Sequence, residues 1–142
     1  MTISETIASL RKDLAQFSDW EDRYGHIIAM GKQLSAYPEE YRNDTFLVKG
    51  CQSRVWLHPT LENGVVRFDA DSDAVIVKGL VALVVSVYNN RTPQEIVDSN
   101  DDLRTELGLD QHLSQNRSNG LASMLKQLRL YALAYSMRKA MS

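Results

Sequence analysis

Ala74–Tyr88 reads AVIVKGLVALVVSVY, and the fold turns on whether this stretch is a strand or a helix. Its valines favour a strand by propensity. Its spacing favours a helix: Val77, Leu80, Val81, Val84, Val85 and Tyr88 recur at threes and fours. Asp71, Ser72 and Asp73 stand before it as N-cap candidates. A helix so apolar on all sides belongs at the centre of a core. The stretch contains Lys78 and is too short to span a bilayer.

Immediately upstream the period changes from helical to two. Val55 and Leu57 alternate with Trp56 and His58, and Val66 and Phe68 alternate with Val65 and Arg67. Asn63-Gly64 lies between the runs, the strongest short signal for a two-residue hairpin turn. Residues 53–69 therefore read as two antiparallel strands, with a third expected at Thr45–Val48. Further upstream, Ile3, Ile7, Leu10, Leu14 and Phe17 line one helix face behind a Thr2/Glu5 capping box. A second box at Ser18/Glu21 opens a helix lined by Trp20, Tyr24, Ile27, Ile28 and Leu34, which ends before Pro38. The two helices read as an antiparallel hairpin.

Downstream, Thr92-Pro93-Gln94-Glu95 combines an N-cap, Pro at the first helical position and a capping box. A short helix through Val97 follows, and another around Leu103 and Leu107 stops at Gly108. The last helix starts near Ser114 or Ser118 and buries Leu121, Leu125, Leu128, Ala132 and Tyr135. It carries Lys126, Arg129, Arg138 and Lys139 without an acid, which complements the negative end of the helix dipole.

A chain of 142 residues, 44% hydrophobic and 24% charged, is expected to form one domain over residues 1–142 with a core of its own. Its net charge of -2 argues against a nucleic-acid footprint. The N-terminal segment carries charges where a signal peptide needs an apolar run. No membrane association is expected. His26, His58 and His112 show no ligand spacing and read as surface or packing residues. Asp69, Asp71 and Asp73 alternate but lack the later Gly and Glu of a calcium loop, so no metal site is expected. No glycine-rich phosphate loop is present.

The chemically distinctive segment is Lys49-Gly50-Cys51-Gln52-Ser53-Arg54-Val55-Trp56. Cys51 is the only cysteine, so no internal disulfide can form, and a reducing cytoplasm suits it. Gly50 permits a tight exposed turn. Lys49 and Arg54 flank the thiol, and positive charge favours the thiolate. A lone cysteine also serves as a small buried hydrophobe, and the residues alone leave both roles open. A cysteine hydrolase would need a histidine close in space, which the sequence does not identify.

Gly50-Cys51-Gln52-Ser53-Arg54-Val55-Trp56 resembles the signature of the SufE/CsdE family, the sulfur-acceptor partners of cysteine desulfurases in bacterial iron–sulfur cluster assembly. The resemblance continues in order through Trp20-Glu21-Asp22-Arg23-Tyr24, Gly31-Lys32-Gln33-Leu34, Asp71-Ser72-Asp73-Ala74 and Ile76-Val77-Lys78-Gly79-Leu80. Thr92-Pro93, Leu107-Gly108-Leu109, His112-Leu113-Ser114 and Arg117-Ser118-Asn119-Gly120-Leu121 complete it. It spans roughly residues 10–135. Gln52-Ser53 is SufE-like, whereas Arg54 resembles CsdE proteins.

The resemblance implies an α+β fold, with helices packed against a three-stranded antiparallel sheet, shared with scaffold proteins of the IscU type. It implies that Cys51 accepts a persulfide sulfur from a SufS- or CsdA-type desulfurase and passes it to a SufBCD-like scaffold. The pyridoxal phosphate belongs to that partner, so this chain is expected to hold no cofactor and to act as an accessory protein rather than a stand-alone enzyme. The rival reading is an allosteric activator that carries no sulfur. A homodimer is among the assemblies the resemblance allows. Three supporting residues follow. Gly50 shapes the turn, and Asp73 is expected to cap the helix below the loop and so hold it. Arg117 either orients the partner or the loop, or sits in a surface ion pair. Trp56, Lys78 and Gly79 are expected to serve packing. A shielded thiol is expected to rest against Val48, Val55, Trp56 and the 74–88 helix.

Overall fold

A computed structural model describes residues 1–141, without the side chains of 139–141. The apolar stretch is a helix, α3 (Val75–Tyr88), and Leu80, Val81, Leu83, Val84, Val87 and Tyr88 are buried at the middle of the core. Its strand-favouring valines are overridden because nearly every face has an apolar neighbour to meet. Ala74 is its N-cap, with no side-chain capping bond. The expected caps are used differently: Ser72 Oγ accepts from the Ala74 N–H at 3.3 Å, and Asp73 turns away from the helix.

On one side of α3 lies the hairpin, β1 (Val55–Glu62) paired antiparallel with β2 (Val65–Ser72). Asn63 and Gly64 turn the chain with φ of 52° and 82°, as a two-residue primed turn requires. The register sets Val55, Leu57, Pro59 and Leu61 opposite Ser72, Ala70, Phe68 and Val66. α3 packs against β2 and α6 (Gln115–Met141) meets β1.

Among the described residues the sheet has two strands, not the expected three. The Thr45–Val48 segment contributes an isolated Leu47–Trp56 bridge and a Val48 N–H bond to the Val55 carbonyl at 2.8 Å. Asn43 is the reason. Its side chain accepts from the Thr45 N–H at the start of the 3-10 turn Asp44–Phe46, so extended backbone begins only at Leu47. The segment covers the sheet instead. Tyr41 stacks on His58 with ring centroids 3.6 Å apart, and Phe46 meets the same imidazole edge-on. The Arg42 guanidinium lies 4.8 Å from the Trp56 ring centroid and pairs with Asp71 at 2.9 Å, while Lys78 of α3 reaches the same carboxylate at 3.3 Å.

α1 (Ile3–Ala15) opens on the Thr2/Glu5 capping box as its residues predict. α2 (Trp20–Lys32) is capped by Asp19, not Ser18: Asp19 accepts from the Asp22 N–H at 2.9 Å, and a carboxylate at this position also complements the helix dipole. The two helices are not each other's main packing partners. α2 lies along α3, whereas α1 meets α3 and α5 (Leu103–Glu106). Gly31 and Gly79 explain the pairing of α2 with α3. A Cβ on Gly79 would stand 2.5 Å from the Ile27 carbonyl oxygen, so the helices cross backbone to backbone. Arg91 holds α1 elsewhere by donating to the Thr2 carbonyl and the Thr6 hydroxyl. α4 (Pro93–Asp98) has its capping box, Gly108 takes φ 71° after α5, and Ser114 caps the start of α6 by accepting from the Arg117 N–H. Lys139 and Ser142 lie outside what the structure describes in full.

Candidate functional site

The connection Lys49–Arg54 leaves the body of the protein between two fixed points. At its base Val48 bonds to Val55. At its exit Asp73 closes a reciprocal pair with Arg54: Asp73 Oδ1 accepts from the Arg54 N–H at 3.0 Å, and the Asp73 N–H donates to the Arg54 carbonyl at 3.3 Å. Asp73 therefore holds the loop directly, not through the helix. Between these points Gly50 adopts φ 90°, a conformation that disfavours any L side chain. A Cβ there would also stand 2.6 Å from Ser123 Oγ on α6.

The turn at Gly50 carries Cys51 down onto α6. Its thiol is half-buried and donates to the Gly120 carbonyl at 3.5 Å. The sulfur rests on the backbone of α6, and a Cβ on residue 120 would meet Sγ at 3.6 Å, an ordinary contact. Burial pushes the Cys51 thiol above the usual range. The flanking cations do not counter it. Lys49 points into a separate groove with Asp44, Ser123 and Lys126, and Arg54 is exposed.

Beside Cys51 opens a cavity of about 610 Å³. Gln52 and Ser53 line it from the loop, Ala74–Val77 and Leu80 from α3, and Ser114, Arg117, Leu121 and Met124 from α6. The start of α3 lines the cavity, whereas Val48, Val55 and Trp56 do not line it and lie in the buried interior; Cys51 packs against the core that holds Val48 and Val55. Val75 stands at the lip with 63% of its surface exposed.

The structure brings Gly50, Cys51 and Arg117 to one place and sets Asp73 at the loop's exit. Arg117 is exposed and, among the described residues, makes no ion pair, so the surface-pair role is not what occupies it. None of the histidines lines the cavity. His58 lies under Tyr41, His112 stacks on Trp20 at 4.0 Å, and His26 sits 5.2 Å from Phe17. A histidine-activated hydrolase is thereby disfavoured. Sequence alone gave no role to Gly120 or Ser123. The usable signal was a glycine inside a helix, which costs about 1 kcal/mol relative to Ala and so points to a packing or functional reason.

The family model for SufE, an Fe-S metabolism associated domain, matches residues 8–132. Among solved structures, a solution structure of a hypothetical protein from Thermus thermophilus superposes with a TM-score of 0.76 at 18% identity. The match covers 91% of this chain and 94% of the other, which places both in one fold. Among the described residues no helix is long and apolar enough to cross a membrane.

Proposed function

The chain belongs to the SufE family of domains associated with iron–sulfur metabolism, and from that premise we propose that it is a sulfur acceptor whose carrier group is Cys51. The donor is a cysteine desulfurase of the SufS or CsdA type, which holds the pyridoxal phosphate; this chain uses no cofactor of its own. The recipient is a cluster scaffold of the SufBCD kind, and the setting is the cytoplasm, where the thiol stays reduced. The protein acts as an accessory that stimulates the desulfurase by removing its product.

The observation that carries this reading is the placement of the only cysteine on a glycine-turned, doubly pinned loop against a cavity. The chemistry follows thiol–disulfide exchange. The Cys51 thiolate attacks the outer sulfur of the donor persulfide. The new sulfur–sulfur bond forms as the old one breaks, and the donor cysteine leaves as a thiolate. The displaced thiol proton passes to solvent, and no net oxidation occurs. Burial and a raised thiol pKa keep the resting group slow, so the partner must open the loop before transfer. Arg117, exposed at the cavity and without an ion-pair partner among the described residues, is suited to orient an incoming acidic group.

Incubation with a desulfurase and cysteine, followed by mass spectrometry, tests the proposal. The Cys51 peptide gains one sulfur atom. An unchanged peptide beside a demonstrably loaded desulfurase overturns the carrier role and leaves the activator reading. Cys51→Ser separates the two independently: it binds the desulfurase but takes no sulfur.

A further inference from the structure

We infer that the Gly120 carbonyl distinguishes the empty state of Cys51 from the sulfur-loaded one, so that loading itself unseats the loop from α6. The inference rests on the sulfur-acceptor reading and adds to it a positioning role for Gly120. In the resting protein two contacts seat the loop. Cys51 donates its S–H to the Gly120 carbonyl at 3.5 Å, and Gly50 crosses Ser123 so closely that a Cβ would be 2.6 Å from the hydroxyl. Gly120 and Ser123 lie about one helical turn apart, so a single patch of α6 carries both.

Loading changes the first contact by covalent necessity. Once Cys51 has attacked the outer sulfur of the donor and the donor thiolate has left, the sulfur attached to Cys51 Cβ bears no hydrogen. Any remaining proton, or the negative charge, resides on the new terminal sulfur. The Gly120 carbonyl then faces lone pairs instead of a donor. The terminal sulfur, about 2.05 Å from Sγ, also needs room. Along the line to the Gly120 carbonyl there is none, because its oxygen already stands 3.5 Å from Sγ. Room exists in the adjoining cavity of about 610 Å³, between the start of α3 and Arg117. The thiol form thus favours the seated loop and the persulfide form a released one. Giving the sulfur away restores the donor and reseats the loop, a population shift driven by differential contacts in the two states.

Hydrogen exchange over residues 49–54 tests this without a desulfurase. Cys51 is loaded with inorganic polysulfide, and the added sulfur is counted by intact mass. The loaded loop exchanges severalfold faster than the thiol form, while α3 amides are unchanged. Cys51→Ala, which lacks the donor, exchanges fast like the loaded form; Cys51→Ser, which keeps one, is protected like the thiol. Equal protection of the loaded and thiol loops overturns the inference, as does equal exchange of the Ala and Ser variants or loosening that extends to α3. The Ala and Ser comparison decides even where polysulfide leaves Cys51 unmodified. Failure of a desulfurase to load Cys51 would sink the acceptor reading and leave these exchange rates as they are.

Discussion

Cys51 meets two opposing demands: a thiol sheltered from solvent is a poor nucleophile until it is exposed. Its pKa is raised by desolvation, and the sign is definite. Folded protein holds the thiol proton more tightly than unfolded chain, so the contribution to stability is complete below the ordinary thiol range and is lost as pH rises through the raised value. Iodoacetamide should therefore modify Cys51 more slowly than a free cysteine peptide at the same pH, with a rate–pH midpoint above about 8.5. A catalytically dead desulfurase should speed it. A fast rate indifferent to the partner would mean that the loop stands open at rest. Asp73→Arg removes the bond to the Arg54 N–H, worth about 1 kcal/mol, against a domain stability of roughly 5–15 kcal/mol. The domain stays folded and exchange around Gly50–Arg54 rises; unchanged protection there would show that Asp73 does not hold the loop. Gly50 and Cys51 were legible in the sequence because a turn is a local matter. Gly120 was not, because its contact with Cys51 spans 69 residues.

Elements were readable where their signals were local and misread where two signals competed. The Thr2 and Thr92 capping boxes and the Asn63-Gly64 turn formed as the residues dictate. Ser18 lost to its neighbour Asp19, and the third strand lost to the Asx-type turn at Asn43. The α2–α3 pairing was invisible to periodicity, since Gly31 and Gly79 contribute nothing to an apolar stripe yet decide which helices can touch. That crossing makes a paired prediction. Gly79→Ala drives a Cβ into the Ile27 backbone and should destabilise by about 1–3 kcal/mol. Gly25→Ala, on the same α2 but with nothing within 4 Å, should stabilise by about 0.4–1 kcal/mol. Urea midpoints of the two variants should move in opposite directions; a common direction would show that the crossing is not tight.

Across the whole molecule, Asp71 joins three parts that share no other ionic tie in the described structure: Arg42 of the covering segment, β2 and Lys78 of α3. Burial pushes its carboxyl up, but the Ser72 N–H, Arg42 and Lys78 outweigh that and hold it below the usual value. A carboxyl lowered on folding contributes stability above about pH 4 and loses it as pH falls through the lowered folded value. Asp71→Asn should therefore cost about 1–3 kcal/mol near neutrality, with the gap from the parent closing in acid; a pH-independent gap in urea unfolding would exclude an ionic origin. The α+β class was legible from alternating periods. The layering was not, because it depends on long-range partners such as Arg42 and Asp71. The solitary thiol also bears on the fate of any sulfur that the proposed function places on it. A second, resolving cysteine would collapse a persulfide into a disulfide and expel sulfide. With Cys51 alone, no such intramolecular escape exists. On the proposed function, Cys51 holds its sulfur until a nucleophile comes from outside.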